Sequence, residues 1–330
     1  MKKAFDKKKL VNILFGVAIF ILAVNLVVGK LLKNGIQHRG EENFKVIESQ
    51  FKSALSNLGI KEEWVARQKG NDEPIKFSVK VPKDLPIVLI LREMNDVFST
   101  GNVEIKSLEN KVGGKTSIDF ISGDETKLES VFNYDASIAR KSVRVGFLVD
   151  KFNEDAETDS LLLDFTEKFA VVLTPSKISA EFVKKIIQNQ KEYVIYLNDN
   201  IDELEYKLKS NYSTSRLKNA IRSIVGSFPQ SVFFLIDNKS DLYNSPAYYL
   251  IKKEMEKRKI KLIDKSSFDE LVESNSKNIN DIFDGSFNEL QGGENKIFMV
   301  SAEDFLSLKP EIIKYRKLGY RFSKPSALLH

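Results

Sequence analysis

The sequence predicts an α/β fold for residues 143–330, in which a parallel β-sheet carries helices on its outside. Short apolar segments rich in β-branched residues, typical of strands buried in a parallel sheet, alternate strictly with segments of helical periodicity. Such alternation favours either an open sheet or a sheet closed into a barrel. The strand candidates are residues 145–149, 169–173, 193–197, 232–236, 261–263 and 297–300.

End signals support the helices between these strands. Ser245 followed by Pro246 supplies an N-cap and a first-turn proline for one helix. Gly319, directly after Leu318, ends the last helix.

The first forty residues predict a membrane anchor. Residues 10–29 form a run of 20 residues without a charge, about the length that crosses a bilayer as a helix. We assign 1–9 to a basic cytoplasmic tail and 10–32 to the span. Five lysines precede the run and two follow it, so the positive-inside bias exports the rest of the chain to the periplasmic side of the inner (cytoplasmic) membrane. A cleaved signal peptide is the alternative, but its apolar region is usually only ~7 to 15 residues long.

Residues 41–140 predict a small α+β module with a leading helix. Residues 41–59 carry apolar side chains at close to helical spacing, which predicts an amphipathic helix rising from the membrane. Trp64 is assigned to the core rather than to a ligand platform, because large aromatic residues mostly serve packing. The module is further predicted to contain a helix over 84–97 and strands over 75–81, 103–108 and 116–121.

Charge and composition disfavour several classes of function. Residues 1–33 carry seven lysines and one aspartate, a net charge of +6, whereas the whole chain is +5, so residues 34–330 are left at −1. This balance leaves no basic face for nucleic acid. The chain has no cysteine and only two histidines, His38 and His330, so a zinc enzyme is disfavoured and no cofactor is predicted.

Two aspartates directly follow strand candidates and are candidates for a ligand site. Asp150 follows the strand 145–149, and Asp237 follows the strand 232–236. Because ligands bind at the carboxyl ends of the strands in α/β folds, both side chains are expected on one rim. Lys151, beside Asp150, argues against a divalent cation there. The alternative is that Asp150 and Lys151 merely cap a strand end and face solvent.

Three tyrosines close to this rim are candidates for stacking on sugar rings. Tyr243, Tyr248 and Tyr249 follow the strand that ends before Asp237, but two of them fall on a helical segment. Packing in the core is therefore the favoured interpretation.

Strand-end motifs of the chain match, in order and spacing, those of one known family. The first strand ends in Asp150, Lys151, Phe152, Asn153, where the family has Asp-Asp, an aromatic residue or leucine, and glycine. The family's His-Leu-Pro motif is matched by residues 196–198, with Tyr196 in place of the histidine. Its Asn-Asn-His-Met-Gly-Ser motif falls on residues 222–227, with Ile224 in place of the histidine. Further matches are Leu173-Thr174-Pro175, Ile236-Asp237-Asn238 with Ser245, residues 317–320, and Ser326-Ala327-Leu328 in a short closing strand. In these motifs, residues 144–329 resemble the divergent polysaccharide deacetylase family.

The resemblance implies a deformed (β/α) barrel of the polysaccharide deacetylase type. In active members a metal ion held by one carboxylate and two imidazoles activates water, and a further aspartate acts as base. Lys151, Tyr196 and Ile224 stand at the three ligand positions, so no metal is expected. Asp150 keeps the position of the catalytic base and is expected to pair with Lys151, while Tyr196 fills the space of an imidazole. The remaining cleft is expected to be lined by Lys151, Tyr196, Asp237 and Ser245.

The leading hypothesis is a membrane-anchored envelope protein whose degenerate domain is a pseudoenzyme. Its partner would be a cell-envelope glycan or another envelope protein. One alternative is an active, metal-independent carbohydrate esterase or hydrolase that uses Asp150 and Asp237. The other is a bitopic assembly component of a secretion or surface-appendage machine, since a short tail, one span and a small α+β module also describe such parts.

Overall fold

The structure, a computed structural model, describes residues 43–68, 74–111, 113–152, 161–274 and 276–329. The predicted basic tail and membrane span lie outside these residues. Within the described ranges no helix is both long and apolar enough to cross a membrane. The described chain divides into two compact units, residues 43–56 with 60–138 and residues 57–59 with 139–329.

The first unit is a five-stranded mixed sheet with two helices. Its strands lie in the order β1-β2-β5-β4-β3, and the β2–β5 pair is parallel while the other pairs are antiparallel. The elements are α1 (Phe44–Asn57), a 3-10 helix (Glu62–Trp64), β1 (Val65–Arg67), β2 (Ile75–Pro82), α2 (Ile87–Phe98), β3 (Glu104–Glu109), β4 (Thr116–Ser122) and β5 (Glu125–Asp135).

Helix α1 belongs to the core of this unit. The ring centroid of its residue Phe51 lies 5.2 Å from that of Phe77, 5.5 Å from Phe120 and 6.3 Å from Phe132, on three different strands. Trp64 is buried, as the sequence predicts. The helix expected to rise from the membrane is thus packed on the sheet. Apolar spacing indicates which face of a helix is buried but not what covers it.

The longest strand of this unit, β5, is missing from the sequence prediction. Its inward positions include polar side chains, since Ser130 is buried and donates its hydroxyl to the carbonyl of Ile118 at 3.0 Å. Lys127, also buried, pairs with Glu125 at 2.7 Å. Polar residues at buried positions break the apolar alternation by which a strand is recognised.

The second unit is an α/β unit in which every strand pair is parallel. Seven strands lie in the order β10-β9-β8-β7-β6-β12-β11, and β13 pairs with the start of β6. The elements are β6 (Arg144–Asp150), β7 (Ala170–Leu173), α3 (Lys177–Gln188), β8 (Glu192–Leu197), α4 (Thr214–Ser227), β9 (Phe234–Ile236), α5 (Pro246–Lys257), β10 (Leu262–Asp264), a 3-10 helix (Lys265–Ser267), β11 (Asp269–Leu271), α6 (Ile279–Glu289), β12 (Asn295–Ser301), α7 (Ala302–Ser307), α8 (Lys309–Lys317), β13 (Arg321–Phe322) and a 3-10 helix (Pro325–Leu328).

The sheet of this unit is curled. Strands β10 and β11 occupy opposite edges, yet only residues 265–268 connect them. Six inter-strand spacings separate these edges, which amounts to about 29 Å in a flat sheet. Five residue steps of chain reach at most about 18 Å. The edges must therefore bend toward each other, which agrees with the deformed barrel expected from the sequence motifs.

Curling divides the apolar side chains between an inner and an outer core. Leu148, Val194, Leu235 and Met299 belong to the inner core, whereas Phe147, the neighbour of Leu148, belongs to the core shared with the helices. Alternate residues of one strand thus serve different cores, which explains why these strands are apolar on both faces.

The segment after β13 packs at the amino end of the curled sheet. The hydroxyl and amide of Ser326 both donate to the carboxylate of Glu192, at 2.5 and 3.1 Å. Leu328 is buried in the inner core, and a Cβ added to Gly146 would lie 2.9 Å from its Cδ1. Glycine at this position therefore permits the close approach of the two segments.

The structure differs from the sequence-based prediction at three short elements. Strands β11 and β13, of three and two residues, were not predicted. The Ser-Ala-Leu motif, expected in a closing strand, lies in the 3-10 helix Pro325–Leu328 that follows β13. Elements this short carry too few residues for a periodic pattern.

Candidate functional site

Polar and charged side chains converge at the carboxyl end of the curled sheet. Along the inward-facing positions, Asp150 follows Leu148 on β6, Tyr196 follows Val194 on β8, and Asp237 follows Leu235 at the end of β9. Lys265 follows β10, and Glu270 on β11 is in register with the inward-facing Met299. We call Asp150, Tyr196, Asp237, Lys265 and Glu270 the mouth group.

Asp150 is held in a partly desolvated position within this group. Burial raises the pKa of its carboxyl above the ordinary value, and the negative charges of Glu270 and Asp304 act in the same direction. Lys265 and then Lys151 oppose the shift. The carboxyl is thus a weaker acid than a solvated aspartate and is better able to keep a proton.

Tyr196 lies close enough to Asp237, Glu270 and Asp150 for their charges to affect its ionisation. Its hydroxyl lies close to the carboxylate of Asp237, and its ionisation is also disfavoured by the charges of Glu270 and Asp150. Burial is the largest cause of the raised pKa of Tyr196, and the neighbouring carboxylate of Asp237 is the next. Asp237 also accepts the backbone N–H of Lys239 at 3.0 Å. The phenol therefore stays neutral and acts as a hydrogen-bond donor.

Lys265 is the cation inside the mouth group. Its Nζ lies 2.9 Å from Oε1 of Glu270 and 5.9 Å from the ring centroid of Tyr196. Neither residue of this ion pair was among the candidates predicted from the sequence. Lys265 lies just after the strand predicted at 261–263, so the same strand-end rule that gave Asp150 would have found it. Glu270 lies on a three-residue strand that leaves no sequence pattern.

Lys151 has a different place from the one expected. It is exposed and has a backbone φ of 53°, in the left-handed region. Its effect on the pKa of Asp150 is smaller than that of Lys265. The sequence led to the expectation that Lys151 pairs with Asp150, whereas the structure gives the larger part of that role to Lys265.

Ser245 caps α5. Its hydroxyl donates to the carbonyl of Leu242 at 2.8 Å and accepts the N–H of Ala247 at 3.3 Å. The predicted N-cap is confirmed. The hydroxyl is used in local bonds, so the structure gives Ser245 a role in the helix end rather than in the mouth group.

The three candidate tyrosines only partly follow the prediction of core packing. Tyr243 and Tyr248 are half-buried, with ring centroids 4.5 Å apart, and the Tyr243 hydroxyl donates to Oδ2 of Asp264 at 3.0 Å. Tyr249 is 76% exposed, so the prediction is wrong for this residue. Its position on α5 faces away from the sheet, a fact that helical spacing over so short a stretch did not reveal.

The residues at the ligand positions implied by the family do not fit a divalent cation. Ile224 lies within α4 and is fully buried in the outer core, so this position is not at the mouth. Tyr196 is a neutral phenol close to Asp237, and Lys265 adds a positive charge close to Asp150. Among the described residues no cluster of three histidine, cysteine or carboxylate side chains could hold a metal ion.

Comparisons with known proteins find similarity in structure but not in sequence. No family model and no curated protein matches the chain. The wild-type BA3943 of Bacillus anthracis, described as a CE4 family pseudoenzyme, is 11% identical with a TM-score of 0.40, over 73% of this chain and 95% of that chain. A BA3943 mutant with restored enzymatic activity is 10% identical with a TM-score of 0.40, over 68% and 92%.

A variant of the peptidoglycan deacetylase PdaC of Bacillus subtilis is 16% identical with a TM-score of 0.38, over 57% of this chain and 90% of that chain. These similarities concern the fold. At such identities and TM-scores they carry no inference about what this chain binds or does.

Proposed function

We propose that the second unit is a non-catalytic, polysaccharide-deacetylase-like domain that binds a cell-envelope glycan through the mouth group. The observation that carries the proposal is the composition of that group. It combines three carboxyl groups, one of which has a pKa raised by burial, with a phenol and an ammonium, and these residues do not fit a metal ion. These residues can form hydrogen bonds with a ligand, but they cannot hold the metal ion that activates water in active polysaccharide deacetylases.

Sugar hydroxyls both donate and accept hydrogen bonds, and the mouth group contains acceptors and donors to pair with them. Asp237 and Glu270 accept, Lys265 donates, and the Asp150 carboxyl can do either according to its protonation. The ion pair between Lys265 and Glu270 limits the net charge that a neutral glycan would meet. The proposed ligand is therefore a neutral oligosaccharide, such as one of N-acetylated amino sugars, rather than an anionic polymer.

A second candidate is supported by the raised pKa of Asp150. A carboxyl whose pKa is raised by burial, within a group that contains other carboxyl groups, resembles the acid of the acid–base pair used in metal-independent glycan hydrolysis. In this alternative Asp150 would donate a proton and Asp237 would act as the base. Release of acetate or of shorter oligosaccharides by the full chain in excess chelator, abolished by Asp150→Asn, would establish it and overturn the non-catalytic proposal.

The binding test uses Tyr196→Phe, which removes a hydroxyl, and Asp237→Asn, which replaces one acceptor oxygen by an amide donor, both with little change of shape. We expect the full chain to bind an N-acetylglucosamine tetramer saturably, and each variant to bind it about fivefold more weakly, as expected for the loss of about one hydrogen bond. Isothermal titration calorimetry measures both affinities.

The matched control for that test is Glu181→Gln, which removes one negative charge from the exposed face of α3. It should bind like the parent chain. Equal affinity of parent, control and both mouth variants would show that the mouth group does not hold the glycan.

We further propose that residues 10–32 anchor the chain in the cytoplasmic membrane, with the remainder on the periplasmic side. The asymmetry of lysines around the apolar run supports this orientation. Alkaline phosphatase fused after residue 329 is expected to be active, because it folds only outside the cytoplasm, whereas green fluorescent protein fused there after Sec export is expected to be dark. The reverse pattern would contradict the topology.

A further inference from the structure

A concave, lysine-lined surface lies at the amino end of the curled sheet, opposite the mouth group. A cavity of about 430 Å³ is lined there by Lys168 before β7, Lys191 before β8 and Lys324 after β13. Thr166 and the side chains of residues 188–190, two glutamines and an asparagine, add neutral polar groups to its lining. We call it the amino-end cavity.

The amino-end cavity concentrates positive charge. Asp164 is the one carboxylate in its lining against three ammonium groups. A second cavity of about 370 Å³ shares Thr166 and Lys168 with it and adds Arg316 and Arg321. In this second cavity Glu167 is ion-paired with Arg316. The chain beyond residue 33 is close to neutral overall, so this excess of cations is a local feature of the fold.

Lys191 is held in the cavity by hydrogen bonds, although burial and the charge of Lys324 disfavour its ammonium form. Its Nζ donates to the carbonyls of Phe165 and, at 2.8 Å, Glu167, and lies 5.0 Å from the ring centroid of Phe169. Burial lowers the pKa of Lys191, Asp164 opposes that shift, and Lys324 adds to it by repulsion. An anion in the cavity would offset both unfavourable effects.

Lys168 and Lys324 have no carboxylate partner within the part of the chain that the structure describes. Elsewhere in the second unit several lysines are paired, such as Lys296 with Asp269 at 2.5 Å and Lys314 with Asp284 at 3.0 Å. Two lysines without a carboxylate partner among the described residues therefore line a cavity whose third lysine is already held in place.

We propose that the amino-end cavity binds the phosphate group of a phosphate-bearing small molecule or polymer end. Several ammonium groups spread around a cavity suit a tetrahedral anion whose oxygens accept from different directions. The hydroxyl of Thr166 and the side-chain amides of residues 188–190 supply further neutral donors. The volume exceeds that of a phosphate group and lies within the usual range of ligand pockets, which leaves room for the attached part of the molecule.

The test titrates the full chain with inorganic phosphate and, separately, with glycerophosphoglycerol, the soluble diester of an anionic lipid headgroup. Chloride at equal ionic strength is the reference, because exposed charges are screened by salt. We expect saturable binding of at least one of the two phosphates, weakened about tenfold in the double variant Lys168→Gln/Lys324→Gln, which loses two charge-assisted contacts. Preference for inorganic phosphate indicates a free or terminal phosphate, and preference for the diester indicates a headgroup.

The control is the double variant Lys184→Gln/Lys252→Gln, which removes the same charge from exposed positions on α3 and α5. It should bind phosphate within about twofold of the parent if the contacts rather than the net charge decide affinity. Binding of neither phosphate beyond the chloride reference would overturn the proposal. So would equal weakening in both double variants, which would indicate general attraction. The N-acetylglucosamine titration is unaffected by these outcomes, so the two proposals fail separately.

Discussion

Replacing Phe147 with alanine is expected to lower the free energy of unfolding by about 3–5 kcal/mol, the usual cost of truncating a buried phenylalanine. Phe147 is fully buried in the outer core. Its ring centroid lies within 6.5 Å of four others, on α6, β12, α7 and β13, at Phe283, Phe298, Phe305 and Phe322. Elements from both sides of β6 meet at this ring, so the cavity left by alanine cannot close by the movement of one side chain.

Urea unfolding of the full chain, followed by circular dichroism, measures the effect. The control is Tyr249→Ala, which truncates an aromatic side chain that is 76% exposed, and we expect a change within about 0.5 kcal/mol. A loss below about 1 kcal/mol for Phe147→Ala would mean that this aromatic cluster does not form the packed centre of the second unit.

Replacing Asp150 with asparagine is expected to raise the free energy of unfolding at neutral pH by about 0.5–2 kcal/mol, the gain common when a site built at the expense of stability is relieved. Burial raises the pKa of Asp150 above its ordinary value of 3.8. The folded state therefore binds more protons than the unfolded state between that value and the raised one, and stability falls as pH rises through this window. Asparagine imitates the neutral carboxyl and removes the penalty.

The gain should disappear below pH 3.8, where the carboxyl is protonated in both states. Glu254→Gln provides a control of opposite sign. Hydrogen bonds from Arg258 and Lys257 lower the pKa of Glu254 from 4.5 to about 2. Its carboxylate therefore contributes stability that is fully present above pH 4.5 and is lost as pH falls from 4.5 through about 2. This variant should be less stable than the parent at neutral pH. A less stable Asp150→Asn at the same pH would show that Lys265 stabilises the carboxylate by more than burial costs.

Part of the candidate site could be read from the sequence. Asp150 and Asp237 each follow an apolar strand, and that position is enough to predict a common rim. In the structure the charges of both residues act on Tyr196. Lys265 obeys the same rule and could have been found. Glu270 could not be found, because its strand has only three residues. The position of Ile224 inside α4 was missed because a motif match gives the order of residues along the chain but not the orientation of their side chains.

The net charge of the chain also did not show where its positive charges gather in the fold. A net charge near zero for residues 34–330 led to the expectation that no basic face remains for nucleic acid. The fold nevertheless collects Lys168, Lys191 and Lys324 around one cavity at the amino end of the sheet. Charge totals report how many ions a chain carries, whereas a surface depends on which ones the fold brings together.

By itself, the sequence determined the elements whose signals are local. Apolar runs, helical spacing and the Ser245 cap depend on neighbouring residues, so the alternation of strands and helices and the burial of Trp64 followed from them. Only the tertiary structure decided that the sheet curls, that Lys265 and Glu270 meet Asp150, and that three lysines from separate loops share a cavity. The physical reason is that these contacts join residues far apart in the chain, and their proximity depends on strand order and curvature, which no local pattern encodes.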